Sequence, residues 1–169
     1  MTTKEYSEQL YHLFNEEVNG FERVVETDDM LYGNEHEQDS IDKVNRIRGT
    51  QYTKIRRGKT NKYIQGTPDI KTEKAIIDIK TPKQSTFDTI TRSKALRDYK
   101  WQLVGYCWLY GKSEAEIIYV SRETEKVKCV KFAVTEEDIE TLRLEVEKWR
   151  KLCWTWWKAH INSPWEIPY

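Results

Sequence analysis

Apolar positions recur along the chain with two different periods, and these periods divide it into helices and strands. Leu10, Leu13, Phe14 and Val18 lie near helical spacing and predict a helix over residues 3–19. Ile41, Val44 and Ile47, at three-residue steps, predict a second helix over 29–48, with Gly49 as its stop. The basic stretch 51–61 reads as a short strand that becomes a loop at Gly58. Residues 63–70 and 75–80 then read as the two arms of a hairpin, with Lys71, Thr72, Glu73 and Lys74 as its polar turn. In the second arm Ile77 and Ile79 point one way, while Ile76, Asp78 and Lys80 point the other, because strand side chains alternate.

The helical period returns over residues 88–110. Leu96, Tyr99, Leu103, Tyr106 and Leu109 or Tyr110 form its stripe, and Gly111 is its C-terminal cap. Two strands follow, over 115–121 and 127–134. Thr135 with Asp138 has capping-box spacing and opens a final helix to about 159, with Ile139, Leu142, Val146, Trp149 and Cys153 on its apolar face. Helices, three or four strands with a helix between them, and a closing helix describe an α/β fold: a small central mixed sheet flanked by helices. A chain of 169 residues suits one domain, over 1–169, that ends in a Trp-rich helix and tail.

Composition narrows the classes of function. Lys plus Arg and Asp plus Glu number 28 each, so net charge gives no global signal for nucleic acid, and any such contact must come from local clustering. Cys107, Cys129 and Cys153 have no metal-ligand spacing, which argues against a zinc or iron–sulfur site and for a reducing compartment. The charged N-terminus lacks a signal-peptide pattern, and no apolar run reaches membrane-spanning length. The expectation is a cytoplasmic protein without membrane contact.

The candidate chemistry lies between Thr67 and Lys80. Asp69 follows Pro68, and eight residues later the chain reads Asp78-Ile79-Lys80. A hairpin can bring positions on its two arms, such as Asp69 and Asp78, within side-chain reach, and Lys80 shares the face of Asp78. Two carboxylates are hard oxygen ligands for Mg²⁺ or Mn²⁺, and the ammonium can orient or help deprotonate a water or stabilise developing charge. Alternating Asp and Lys on a strand also suits a solvated ion pair, so further features matter. Glu37 shares a helix face with Ile41 and Val44, at i, i+4 and i+7, and an inward carboxylate needs a partner or a metal. His36 is the neighbouring candidate, turned toward the boundary of that face. Gln102 and Tyr106, four apart, stack on one helix face where Gln102 can orient a water or phosphate and Tyr106 can line a cleft.

This ordered set over residues 33–121 resembles the PD-(D/E)xK nuclease superfamily, and the trailing Gln102-xxx-Tyr106 resembles its RecB-like and lambda-exonuclease-like branch. The segment Gly33-Asn34-Glu35-His36-Glu37 is similar to the upstream helix of that branch. The resemblance implies a restriction-endonuclease-like core, Mg²⁺ or Mn²⁺ as cofactor and DNA as substrate. It implies Asp69, Asp78 and the Ile79 carbonyl as metal ligands, Lys80 as the catalytic lysine, and Glu37 as a further ligand, direct or through water. Gln102 and Tyr106 would act near the nucleophile. The upstream position stays open between Glu37 and His36. The iron–sulfur cysteines of some RecB-like relatives are missing. The activity implied is an exonuclease of phage-type recombination or end processing; the alternatives are a restriction-like or structure-specific endonuclease, or an inactive binding module on the same fold.

Two regions lie outside that set. Lys54, Arg56, Arg57, Lys59 and Lys62 form the densest basic cluster and lead into the Asp69 arm, where they could hold DNA phosphates at the mouth of the cleft. Arg92, Lys94, Arg97 and Lys100 precede Gln102 and could line the same path. Trp149, Trp154, Trp156, Trp157, Trp165 and Tyr169 crowd the C-terminus, and the three tryptophans at 154, 156 and 157 cannot share one helix stripe. Intramolecular packing, a homo-oligomer or partner contact, and base stacking are the uses considered, in that order.

Overall fold

The structure, a computed structural model, describes residues 36–160. The helix expected over 3–19 and the tail from Ile161 lie outside the described residues, as do the side chains of Trp156 and Trp157. In chain order the elements are α1 (Glu37–Arg48), β1 (Lys59–Thr60), β2 (Gln65–Gly66), β3 (Ile70–Lys71), β4 (Ala75–Lys80), α2 (Gln84–Asp88), α3 (Arg92–Tyr110), β5 (Glu114–Val120), β6 (Val127–Ala133) and α4 (Glu136–His160). The compact unit that holds the sheet is Thr27–Leu144, and α4 from Glu145 onward is grouped apart from it. Among the described residues, no helix is long and apolar enough to cross a membrane. Cys107, Cys129 and Cys153 are free thiols.

The main sheet has the order β3-β4-β5-β6. β4 and β5 run parallel, and the outer pairs are antiparallel, so the sheet is mixed, as the element order implied. A parallel pair needs a long crossover, here supplied by α2 and α3. Both faces of the central strands are covered, which explains their nearly unbroken apolar text. Ile76, Ala115, Ile117 and Tyr119 face α3, against Leu103, Val104 and Cys107. Ile77, Ile79, Ile118 and Val120 face the other way, onto Ile41 and Val44 of α1. Each such isoleucine is worth about 1.5–3 kcal/mol of burial. The edge strand β6 instead alternates between covered and exposed positions.

The glycine and capping expectations hold. Gly49 (φ 63°) and Gly111 (φ 64°) both end helices in the left-handed region, where a side chain would be strained. Thr135 and Asp138 exchange hydrogen bonds across the start of α4: the Asp138 N–H donates to Thr135 Oγ1 at 3.1 Å, and the Thr135 N–H donates to Asp138 Oδ2 at 3.1 Å.

Three expectations need correction. The helix expected over 88–110 begins later, at Arg92: residues 89–91 separate it from the short α2, which was not expected, and Thr91 caps α3 by accepting from the Lys94 N–H at 3.2 Å. The apolar face of α3 centres on Ala95, Leu103, Val104 and Cys107, with Tyr99 and Tyr106 at its margins. The first hairpin arm is shorter than 63–70: only Ile70 and Lys71 pair with β4, opposite Ile77 and Ile76. Pro68, which has no N–H to donate, interrupts the arm. Upstream of it, Gln65 and Gly66 pair with Thr60 and Lys59 in a separate two-stranded ribbon. The turn of the β3–β4 hairpin is residues 72–74, closed by a Thr72 N–H that donates to the Ala75 carbonyl at 2.9 Å.

Candidate active site

β4 is a central strand, so a charge on it is necessarily buried. Asp78 is 3% exposed. It lies one step beyond the Ile70–Ile77 pair in the register, which sets it across from Asp69. Asp69 is held from both ends: its carbonyl accepts from the Ile55 N–H at 2.8 Å, and its Oδ2 accepts from the Ile79 N–H at 2.6 Å. The second bond fixes one Asp69 oxygen against the backbone of β4, between the side chains of Asp78 and Lys80.

Lys80 Nζ lies 2.8 Å from Asp78 Oδ2, in ion-pair range. Asp78 Oδ2 is buried, and this ammonium is its ion-pair partner. A carboxylate buried beside a second carboxyl is costly, so the pairing calls for a reason. The same ammonium sits over the ring of Tyr99, 4.9 Å from its centroid, and is thereby gripped between a carboxylate and an aromatic face.

Burial and proximity make the two acids resist ionisation together. Burial, then the negative charge of Asp78, push the Asp69 carboxyl up to about 7, against the pull of the Ile79 N–H. Burial also raises Asp78, with Lys80 working the other way. For Lys80, burial opposes the charged form, but Asp78 and then Asp69 outweigh it, and its pKa is raised. The site therefore holds an ammonium and two adjacent carboxyls that resist carrying two negative charges at neutral pH.

Asp69 and Lys80 open onto a cavity of about 470 Å³ lined also by Glu37, Ile79, Tyr99 and Tyr119, with Lys94 and Arg122 on its wall; Asp78 is buried behind them and is not among the lining residues. Glu37 is partly buried and pairs with Lys54 at the rim. His36 caps α1 and is not among the lining residues, so Glu37 is the upstream residue that meets the cavity. Gln102 donates to Tyr106 Oη at 3.0 Å, and neither lines the cavity. Tyr106 packs instead on β2, where a Cβ on Gly66 would come within 2.5 Å of its ring. Of the second basic run, Lys94 lines the cavity, whereas Arg92 donates to the Lys131 carbonyl and Arg97 and Lys100 pair with Asp98 and Asp138.

The residues present suit a hard divalent cation. Two adjacent carboxylates are the oxygen donors that Mg²⁺ or Mn²⁺ prefers, and a positive ion would offset the burial and like charge that raise the Asp69 pKa. No three Asp, Glu, His or Cys side chains among the described residues converge as a cage. A pair of carboxylates completed by backbone carbonyl and water is the usual arrangement for Mg²⁺.

Tyr99, Tyr119 and Arg122 were not expected at the site. Tyr99 belongs to the apolar stripe of α3, and nothing in that spacing separates a tyrosine that packs from one that also grips an ammonium. Burial raises the Tyr119 hydroxyl, with Tyr99 and Asp98 adding to the effect, so it stays a neutral donor. Arg122 Nε donates to the Thr81 carbonyl at 2.7 Å across the crossover, a contact with no local signature.

No family model matches the chain, and no curated protein matches its sequence. Solved structures do match its fold. A phage-related exonuclease from Haemophilus somnus 129PT superposes with a TM-score of 0.80 at 19% identity, over 94% of this chain and 84% of that one. An alkaline exonuclease from Laribacter hongkongensis superposes with a TM-score of 0.71 at 13% identity, over 94% and 85%. The latter enzyme in complex with dAMP gives 0.70 at 14%, over 90% and 82%. The chain thus has the α/β fold of these exonucleases, the fold class that the resemblance implied.

Proposed function

We propose that the protein is a nuclease that hydrolyses phosphodiester bonds in DNA with Mg²⁺ or Mn²⁺, and that it works from ends as an exonuclease. The observation that carries this reading is the buried Asp69–Asp78 pair beside Lys80. Such a pair costs stability in an empty protein and makes sense as a cation site. The fold shared with two exonucleases supports the choice of DNA ends over other phosphodiesters.

Asp69 and Asp78 would hold the cation, and the Ile79 carbonyl would complete the protein donors. Glu37 acts from the rim, through water. When bound, the cation supplies Lewis acidity to the phosphodiester and lowers the pKa of an attacking water. The chain's own residues do the rest. The Ile79 N–H keeps one Asp69 oxygen fixed beside Asp78, at the wall of the cavity. Lys80, held protonated by its carboxylate neighbours, serves as a fixed positive charge near the phosphate oxygens where negative charge develops. A raised pKa makes it a poor proton acceptor, so stabilising charge suits it better than deprotonating water. Tyr99 holds that ammonium in place, and the isoleucines around the strand keep the surroundings dry, which strengthens each electrostatic contact.

The test is digestion of linear and covalently closed DNA with Mg²⁺ or Mn²⁺, comparing wild type with Lys80→Ala. Cleavage of linear DNA alone, lost in a folded Lys80→Ala protein, is expected. Equal cleavage by both proteins would remove Lys80 from the site, and digestion of closed circles would make the enzyme an endonuclease.

A further inference from the structure

The basic cluster is split by the structure, and its larger part lies on a feature the site does not use. Between Asp42 and Asp69 the chain carries eight Lys or Arg and no Asp or Glu, in a protein of zero net charge. Four of the eight are neutralised internally: Lys43 and Arg46 pair with Glu125, Arg48 with Glu116, and Lys54 with Glu37. Arg56, Arg57 and Lys59 are exposed and form no ion pair among the described residues. They lead into and begin the β1–β2 ribbon, whose tip is an Asn61 turn: Asn61 Oδ1 accepts from the Tyr63 N–H at 2.8 Å and the Ile64 N–H at 3.0 Å.

The ribbon is rigidly placed. Its base is Asp69 itself, through the Ile55 N–H, and a bridge between Lys54 and Ile70. From that bridge to the Thr60–Gln65 pair the partner positions shift by one residue, which marks a bulge near Gly58. A Cβ at Gly58 would fall 2.4 Å from Thr67 Oγ1, so only glycine fits there. One flank is clamped to the aromatic side of α3. Tyr63 stacks on Trp108 with centroids 5.3 Å apart, Tyr110 Oη donates to the Arg57 carbonyl at 3.2 Å, and Lys59 Nζ sits 4.8 Å from the Tyr110 centroid.

We propose that this ribbon is a clamp for the sugar–phosphate backbone of duplex DNA, next to the cut site but separate from it. The proposal rests on the nuclease reading for the identity of its ligand. Lys59 pairs with Gly66, three residues along the strand from Asp69, which is about 10 Å at ~3.3 Å per residue. That distance corresponds to about three base pairs at ~3.4 Å per step. A polyanion is the complement of a row of unpaired cations on a rigid arm. The rings beside them are partly buried and already engaged within the protein, Tyr63 on Trp108 and Tyr110 on the Arg57 carbonyl and Lys59, whereas duplex DNA offers twice the charge density of a single strand. Contact with phosphates alone makes the clamp indifferent to sequence.

The experiment is fluorescence anisotropy of a labelled duplex of about 24 base pairs in EDTA, so that no cleavage intervenes, at several salt concentrations. Wild type is compared with Arg56→Ala/Arg57→Ala/Lys59→Ala and with the charge-keeping Arg56→Lys/Arg57→Lys/Lys59→Arg. The alanine protein should bind at least about tenfold more weakly, and its slope of log affinity against log salt should flatten by about 2–3, near 0.9 per lost phosphate contact. The charge-keeping protein should retain the wild-type slope. An unchanged slope in the alanine protein, or an equal loss in the charge-keeping one, overturns the clamp. A single-stranded oligonucleotide that loses as much of its slope as the duplex does overturns the duplex assignment. Asp78→Asn, measured alongside, separates the two readings: if wild type does not cleave with any divalent metal, the nuclease proposal falls while the EDTA binding still decides the clamp.

Discussion

Asp78 and Glu116 are carboxylates buried to nearly the same extent, at 3% and 4% exposure, on adjacent strands of one sheet. Glu116 lies on the α1 side and is met by a guanidinium: Arg48, the last residue of α1, reaches it at 2.7 Å, with Lys131 at 3.8 Å. The arrangement raises the Arg48 pKa, chiefly through the hydrogen bond that Arg48 donates to Glu116, against desolvation. Asp78 lies on the opposite face and is met by one ammonium and a second carboxyl. The first arrangement closes its charges and ties a helix end to the sheet. The second sets two carboxyls against one ammonium, with Asp69 and Lys80 on the wall of a cavity. Burial alone therefore does not mark a functional acid; burial with a like-charged neighbour does.

Exchanging each acid for its amide sharpens this contrast most. Asp78→Asn should abolish cleavage, by at least about 10³-fold in kcat/KM, with a small net change in stability in EDTA, because Lys80 loses its ion-pair partner while Asp69 loses a like-charged neighbour. Glu116→Gln should do the reverse: cleavage near wild type, and stability lower by about 2–4 kcal/mol, because the half-buried Arg48 loses its partner. Denaturant melts and initial rates on both proteins check this. A Glu116→Gln protein that loses activity as fully as Asp78→Asn would erase the distinction.

Lys80→Ala comes next, with kcat expected to fall about 10²–10³-fold, the cost of losing one preorganised charge at the reacting group. Tyr99→Leu should be milder, about three- to tenfold in kcat, the scale of a desolvated cation–π contact of about 1 kcal/mol. An effect of Tyr99→Leu confined to KM would mean that the ring touches substrate and does not hold Lys80.

The pH dependence follows from Asp69. Its carboxyl titrates at about 7 in the fold against an ordinary 3.8, so between those values the folded protein binds more protons than the unfolded chain. Without metal, its contribution to stability is complete below about 4 and is lost as pH rises through 7. Melting in EDTA should therefore shift downward between pH 5 and 8 by more in wild type than in Asp69→Asn. Metal binding has the opposite trend, because the cation competes with the same protons, and its affinity should fall as pH drops from 8 to 6.

Much of this was legible in the residues. The strand Ala75–Lys80, the helix stops at Gly49 and Gly111 and the Thr135–Asp138 cap all follow from local rules. That Asp69 and Asp78 lie on neighbouring arms was legible too, but the pairing of Ile70 with Ile77 that sets them opposite each other was not, because the turn expected over 71–74 is one residue shorter in the fold. The ribbon was not legible, because two-residue strands carry no period and its pairing follows from a bulge and a glycine fit. Nor was the strut: Glu116 sits in an apolar strand 68 residues from Arg48, and only the folded chain brings them together. Tyr99 reads as core in any helical pattern, since its second contact depends on where β4 ends.

The most direct measurement is Mn²⁺ binding at pH 8, followed by the electron paramagnetic resonance signal of the free ion, for wild type, Asp78→Asn and Glu116→Gln. Saturable binding in wild type and Glu116→Gln, lost in a folded Asp78→Asn, is the expected result. Binding by Asp78→Asn that matches wild type, or none by any of the three, would contradict a cation site at the paired aspartates.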